Sequence, residues 1–125
     1  MISDLQERGI EMRKKVLGTE YVEQTLASTD KFTQPLQELV NEYCWGAVWA
    51  RPGLQVRIRT MLTVAMLAAL NRPRHLKTHL RAALANGVTR EEIAEILMHA
   101  GIYSGLPAAV DGFQVAQEVF KECDG

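Results

Sequence analysis

Helix start and stop signals divide this 125-residue sequence into short segments, and they constrain its fold more than any other feature. The stretches "SDLQ" at residues 3–6 and "TREE" at residues 89–92 each have the spacing of a helix-opening capping box. Sustained alternation of apolar and polar residues, the pattern of half-buried strands, does not occur. The sequence therefore predicts an all-α protein with short connections. Further helix boundaries are indicated by Gly18, Gly46, Pro73, Asn86-Gly87, Gly105 and Pro107.

Between these signals, apolar residues recur at helical spacing. We expect a first helix that closes near Gly18, a short helix over about 21–26, and a third that ends near Gly46. Helices over about 56–70, from Pro73 to Asn86, from Thr89 onward and after Pro107 complete the chain. Apolar positions on the expected faces include Phe32, Leu36, Leu39, Val40, Tyr43, Leu76, Leu80, Ala83, Leu84, Ile93, Ile96, Leu97, Ala100, Ala109, Phe113, Ala116 and Phe120.

The overall composition is that of a soluble globular protein. Hydrophobic residues make up 47% and charged residues 23%, and the formal net charge is −1, which argues against a nucleic-acid-binding or membrane-surface protein. The run "MLTVAMLAAL" is too short to span a bilayer, and the N-terminus is too charged for a signal peptide. Cys44 and Cys123 are far apart in sequence, which favours reduced thiols in a cytoplasmic protein.

The charges are unevenly distributed. Residues 43–90 contain no acidic residue but eight basic ones. This segregation indicates either an anion-binding site or arginines that pair with acidic residues of other helices. The basic residues are Arg51, Arg57, Arg59, Arg72, Arg74, Lys77, Arg81 and Arg90.

The three histidines are candidates for chemistry. His79 falls within an apolar stripe, so it is either a hydrogen-bonded core residue or a catalytic group that faces the interior. His75 and His79 have the spacing of a two-histidine metal pair, but His99 is the only further histidine that could complete it, and we expect no metal. His99 shares a helix flank with Glu95 and Tyr103, which is either a polar surface or part of a site.

The stretch "EYCWGAVWARPGL" places Cys44 between aromatic residues. A reactive thiol needs a nearby cation or a helix N-terminus, so we expect Cys44 to be a small buried hydrophobic residue. Trp45 and Trp49 share one face if the helix continues past Gly46, and they could lie in the core, in an interface or along the wall of a pocket. Arg51, Arg57 and Arg59 follow them, and their forked guanidinium groups suit carboxylates.

Several separated motifs, taken together, resemble the γ-carboxymuconolactone decarboxylase family. They are "EYCWGAVWARPGL", the two arginines of "RIR" at residues 57–59, "HLKTHLRAALANGVTREEI" and "LMHAGIYSGLPAAV". The resemblance covers about residues 32–120, and the helical region 1–30 fits the family's less distinctive start. It implies a compact single-domain bundle of about six helices over residues 1–125, of the alkyl hydroperoxidase D-like type, that assembles into homo-oligomers, commonly hexamers built as trimers of dimers.

The resemblance also implies an activity. The family's named enzyme removes a carboxyl group from γ-carboxymuconolactone in the breakdown of protocatechuate, without a cofactor. His79 matches the family's histidine and is the candidate proton donor, and His99 and Tyr103 are supporting candidates. Arg51, Arg57 and Arg59 would bind the substrate's carboxylates, and Trp45 and Trp49 would form the pocket wall.

This chain differs from the usual sequence motif of the family at two positions. Decarboxylases of the family commonly read "WGEVW", whereas this chain has Ala47 in place of the acid, and Thr60 stands where a serine is usual. Glu42 is the nearest candidate replacement, but residues five apart point in different directions on an α-helix. The loss of the acid favours an alternative in which the protein binds a small anion without catalysis. Peroxidases of the fold need a C-x-x-C pair, and here those positions hold Arg72 and His75.

Overall fold

A computed structural model describes residues 2–125, and this part of the chain contains helices and no strands. The all-α prediction is therefore confirmed. The described part of the chain divides into two units, the first ending at Val56 and the second running from Arg57 to Gly125. The helices are α1 (Asp4–Leu17), α2 (Thr19–Ala27), α3 (Gln34–Leu39), a π-helical segment (Val40–Trp49), α4 (Val56–Ala69), α5 (Pro73–Ala85), α6 (Arg90–Ser104) and α7 (Leu106–Asp124).

The capping boxes open helices as the sequence predicts. The side chain of Ser3 accepts the backbone N–H of Gln6, and the side chain of Gln6 accepts the backbone N–H of Ser3 in return. Thr89 and Glu92 make the same reciprocal pair at the start of α6. Each pair satisfies two backbone donors that the first helical turn leaves without partners.

The first unit is built on a close crossing between α1 and the π-helical segment. A methyl group added to Gly9 would lie 1.8 Å from the backbone oxygen of Asn41, and one added to Gly46 would lie 2.3 Å from the backbone oxygen of Leu5. Only glycine permits two backbones to approach this closely. The two glycines therefore fix where these helices cross.

The third predicted helix differs from expectation in both length and geometry. It begins as α3 and continues to Trp49 rather than ending near Gly46, and its second part is a π-helix, in which the backbone N–H of Ala50 bonds to the carbonyl of Trp45 at 2.9 Å. A hydrogen bond across five residues widens the helix, so residues five apart lie about one turn from each other. Sequence periodicity based on 3.6 residues per turn does not detect this change.

The second unit has one hydrophobic core. Val64 of α4, Leu80 of α5, Leu97 of α6 and Val119 of α7 are fully buried within it, and α7 packs against both α5 and α6. The predicted stripes of α5, α6 and α7 supply most of this core, because it contains Leu76, Leu80, Ala83, Ile93, Leu97 and Ala116.

The connections in the second unit follow the predicted stops. Gly87 has a φ angle of +91°, a conformation that glycine adopts without steric cost, and α5 ends just before it. Gly105, with φ +114°, separates α6 from α7, and Pro107 occupies the first turn of α7. Within residues 2–125, no helix is both long enough and apolar enough to cross a membrane.

Candidate functional site

His79 lies on the inner face of α5. The residues on either side of it in the stripe, Leu76 and Leu80, are buried in the core of the second unit. The imidazole is itself half-buried, and its Nδ1 atom is shielded from solvent. His75, one turn earlier on the same helix, is exposed. The two histidines therefore occupy different environments, and only His79 faces the protein interior.

The arginines of the acid-free segment take different roles. Arg57 at the start of α4 forms an ion pair with Glu92 at the start of α6. Arg81 binds Glu122 through two hydrogen bonds of 2.9 and 3.0 Å, and Arg90 binds Asp124 at 2.5 and 3.2 Å. These basic residues thus follow the second of the two interpretations of the charge pattern, in which they pair with acids of other helices.

Two substrate-binding candidates, Arg51 and Arg59, belong to different parts of the chain. Arg51 is exposed and follows the π-helical segment. Arg59 lies in the first turns of α4 and is half-buried, with its Nε atom shielded from solvent. Next to it, the hydroxyl of Thr60 is fully buried and donates to the backbone carbonyl of Arg57 at 2.6 Å, so threonine in place of serine is accommodated without loss of this hydrogen bond.

A groove of about 840 Å³ runs between α4 and α6 in the second unit. His99 and Tyr103 lie on its α6 side with their rings stacked, 5.2 Å between centroids. Glu95, one turn before His99, also lines it. The structure thus brings together the three residues that the sequence placed on one flank of this helix. The remaining lining is almost entirely apolar, from Ile58, Met61, Leu62, Ala65, Met66, Ala69, Ile96 and Ala100, with Ser104 at one end.

In the first unit, the π-helical segment carries the tryptophan motif. Trp45 and Trp49 are buried, and their rings stack with centroids 4.7 Å apart. Ala47 and Glu42 are half-buried on the same segment. Because this segment is π-helical, Glu42 and position 47 are about one turn apart rather than on different faces. The expectation that Glu42 points elsewhere assumed α-helical spacing, and this segment is π-helical instead.

The prediction that Cys44 is a buried residue is also wrong, because Cys44 is exposed. Partial desolvation by its neighbours nevertheless raises the pKa of the thiol, and this effect outweighs the attraction of Arg13. A raised pKa leaves less thiolate at neutral pH, so the absence of a reactive role for Cys44 remains the better interpretation.

Sequence reasoning missed the buried polar cluster around Arg13. The guanidinium is 7% exposed, and its Nη1 atom donates to Gln37 and Asn41, at 2.9 Å each. Burial lowers the pKa of Arg13, which is the expected effect of taking a cation out of water. Little in the sequence points to this cluster, because Arg13 lies in a charged stretch that is typical of a surface helix.

Comparison with known proteins adds to this geometry. The sequence pattern of the carboxymuconolactone decarboxylase family matches residues 34–118. The chain belongs to this family. It is 42% identical over 115 residues to 4-carboxymuconolactone decarboxylase of Acinetobacter baylyi, an alignment that covers 92% of this chain and 86% of that enzyme.

A second relative has a different named activity. The chain is 42% identical over 116 residues to nitrosuccinic acid decarboxylase of Metarhizium robertsii, covering 93% of this chain and 81% of that enzyme. An uncharacterized 15.0 kDa protein of Paracoccus denitrificans is 36% identical over 86 residues, or 66% of this chain and 63% of that protein. The family resemblance inferred from the motifs is therefore confirmed. The roles of the individual site residues remain predictions.

Proposed function

We propose that this protein is a cofactor-independent carboxy-lyase that acts on a small dicarboxylate. The observation that carries the proposal is the equal similarity to two decarboxylases with different named substrates, each over more than 90% of this chain. γ-Carboxymuconolactone is the best single candidate substrate. A role in protocatechuate breakdown by the 3-oxoadipate route, in the cytoplasm, follows from that choice.

The two named substrates can both lose carbon dioxide without a cofactor, because each contains a group that accepts the released electrons. When a carboxylate leaves as carbon dioxide, the electron pair of the broken carbon–carbon bond must be accepted by the substrate. A conjugated lactone accepts it as an enolate, and a nitro group accepts it as a nitronate. The protein must then strip water from the departing carboxylate, stabilise the developing anion and return a proton to carbon.

His79 is the proposed proton donor. It is a half-buried imidazole on the inner face of α5, with Nδ1 shielded from solvent, and a general acid in such a place can deliver its proton without competition from bulk water. Arg51 and Arg59 are proposed to bind carboxylates, with Trp45 and Trp49 as an apolar wall. Arg57 is proposed as a third carboxylate-binding arginine, and it would have to exchange Glu92 for the substrate carboxylate.

Glu42 is proposed to replace the acid that Ala47 lacks. The π-helical geometry supports this role, since it brings residues five apart to nearly the same side of the helix. His99 and Tyr103 remain supporting candidates within the groove. We further propose that the protein works as a homo-oligomer, with a hexamer built as a trimer of dimers as the family resemblance suggests.

One assay tests the activity directly. Purified protein is incubated with freshly prepared γ-carboxymuconolactone and, in parallel, with nitrosuccinate, and the products are followed by NMR. We expect the enol-lactone of 3-oxoadipate to appear from the first substrate. Consumption of nitrosuccinate alone would keep the reaction class and change the substrate. Tight binding of both compounds without turnover of either would favour the alternative, a family member that binds small anions without catalysis.

A further inference from the structure

Arg57 is held less firmly than two other paired arginines of the second unit. Arg81 and Arg90 each bind a carboxylate through two hydrogen bonds. Arg57 binds Glu92 through its Nη2 atom, whereas its Nη1 atom lies 3.6 Å from the sulfur of Met61. A thioether sulfur is a weak acceptor, so this edge of the guanidinium remains available for a stronger one. Of the three arginines, Arg57 therefore has the most unused capacity to bind a carboxylate.

Glu92 keeps a second partner if Arg57 leaves it. Its Oε1 atom accepts the backbone N–H of Thr89 at 2.9 Å, and its Oε2 atom accepts from Arg57. The side chain of Glu92 is one-third exposed, so water can replace the guanidinium at Oε2. Loss of the ion pair therefore leaves neither a buried unpaired charge nor an uncapped start of α6.

The backbone of Arg57 is fixed independently of its side chain. The fully buried hydroxyl of Thr60 donates to the carbonyl of Arg57 at 2.6 Å and holds the first turn of α4. The side chain of Arg57 is 38% exposed, and it contacts Met61, which lines the groove between α4 and α6. The guanidinium can therefore change partners by rotation of its side chain, without movement of the helix.

We propose that Glu92 competes with the substrate for Arg57, and that this competition sets the affinity of the site for dicarboxylates. A substrate carboxylate that binds both edges of the guanidinium replaces one charge-assisted hydrogen bond with two, which favours the exchange. A partly exposed ion pair contributes little, so the competition weakens substrate binding by about two- to fivefold. Both interpretations of the charge pattern, pairing with acids and binding of anions, then hold for Arg57.

The inference rests on the proposed function, because it takes Arg57 to be a carboxylate-binding residue of that site. Glu92 is a positioning residue in this scheme, since it acts on the substrate only through Arg57. Removal of such a competitor lowers KM and leaves kcat nearly unchanged. A purely structural role for Glu92 would instead lower the thermal midpoint of its variants without tightening their binding of substrate.

Calorimetric titration with succinate measures the competition without turnover, because succinate has two carboxylates but no group that accepts electrons on loss of carbon dioxide. Glu92→Gln keeps an acceptor for the N–H of Thr89 and removes the charge that holds Arg57. We expect this variant to bind succinate about two- to fivefold more tightly than the wild type, and to lower KM for the turned-over substrate by a similar factor. Asp124→Asn, which weakens the hold on Arg90 in the same way, should change neither quantity.

The Arg57→Ala background separates this effect from long-range electrostatics. Glu92→Gln should not tighten succinate binding when Arg57 is absent, whereas a long-range effect of the lost charge would persist. A second measurement uses the wild-type protein with isotope-labelled arginine. The side-chain NMR signal of Arg57, assigned by its loss in Arg57→Ala, should shift when succinate is added.

Unchanged or weaker succinate binding by a folded Glu92→Gln variant would overturn the proposal. An Arg57 signal that stays fixed while succinate binds to the wild type would also overturn it, as would the absence of binding to both proteins. Tighter binding by Glu92→Gln, with no turnover of γ-carboxymuconolactone or nitrosuccinate by either protein, would instead refute the proposed function and leave the competition for Arg57 standing.

Discussion

Glu92 holds two partners at once, since one carboxylate oxygen accepts a hydrogen bond from Arg57 and the other accepts the backbone N–H of Thr89 at 2.9 Å. The same side chain therefore caps α6 and ties the first turn of α4 to it. These contacts, with the backbone bond first, lower the pKa of Glu92. An acid in the family's "TREE" stretch thus has a structural role that its capping-box spacing only partly predicts.

The two roles of Glu92 can be separated by substitution. Glutamine can still accept the N–H of Thr89 but carries no charge for Arg57, whereas alanine loses both contacts. We expect Glu92→Ala to lower the thermal midpoint more than Glu92→Gln. Thr89→Ala removes only the hydroxyl cap and should cost about 1 kcal/mol in the free energy of unfolding. Equal midpoints for the glutamine and alanine variants would show that the cap contributes nothing.

Acid should weaken the attachment of α7. Hydrogen bonds from Arg81 and then Lys77 lower the pKa of Glu122, and Arg90 lowers the pKa of Asp124. A carboxyl whose pKa is lower in the folded state stabilises the fold above its unfolded pKa, and that contribution is lost as the pH falls through the folded value. We therefore expect stability to fall below about pH 4.5, the ordinary value for glutamate.

Thermal denaturation between pH 7 and pH 3 measures this loss. The variant Glu122→Gln/Asp124→Asn should begin with a lower midpoint at pH 7 and should show a shallower decline with acid. High salt should also reduce the difference in thermal midpoint between the wild type and this variant at pH 7, because salt screens ion pairs at the surface. If the double variant and the wild type decline in parallel, the acid sensitivity arises from other carboxyls.

The close crossing of α1 and the π-helical segment predicts that alanine substitution will destabilise the protein at Gly9 but not at Gly53. Gly9→Ala would place a methyl group 1.8 Å from the backbone oxygen of Asn41, a contact that only movement of the backbone can relieve. We expect a loss of about 3 kcal/mol or more in urea unfolding, or failure of the first unit to fold. Gly53→Ala is the matched control, because nothing lies within 4 Å of its added methyl group, and it should be close to neutral.

The sequence predicted the helices of the second unit well because their boundaries are encoded locally. Capping residues, Asn86-Gly87 and Gly105 act within a few residues of themselves, so no tertiary information is needed to find them. The first unit was harder. Its π-helical geometry and the burial of Arg13 depend on how closely the helices cross at Gly9, which is a tertiary property that a single sequence does not display.

In the candidate site, too, the sequence predicted local relationships between residues but not long-range ones. The grouping of Glu95, His99 and Tyr103 followed from helical spacing alone and is present in the groove. Arg57 and Glu92 are 35 positions apart in the sequence. Local sequence patterns therefore do not show which of the acidic residues pairs with Arg57. The prediction that Cys44 is buried was wrong for a related reason. Helical spacing shows which residues share a face, but it does not show which face packs against the rest of the protein.

The proposed proton donor has an internal control on its own helix. His79 is half-buried and inward-facing, whereas His75 one turn earlier is exposed. We expect His79→Ala to reduce turnover of the substrate by about 10²- to 10⁴-fold, the usual contribution of a general acid, and His75→Ala to leave it nearly unchanged. Circular dichroism should confirm that both variants fold. Full activity in a folded His79→Ala variant would remove this residue from the mechanism.

The π-helical segment makes a specific prediction about the missing acid. If Glu42 supplies the carboxylate that Ala47 lacks, Glu42→Gln should lower turnover by about tenfold or more while leaving the fold intact. Adding Ala47→Glu to that variant should restore much of the lost rate, because position 47 lies about one turn from Glu42. Ala47→Glu alone should change the rate little, since one acid is already present. A large gain from Ala47→Glu alone would mean that Glu42 does not fill this role and that the chain's own substrate differs from γ-carboxymuconolactone.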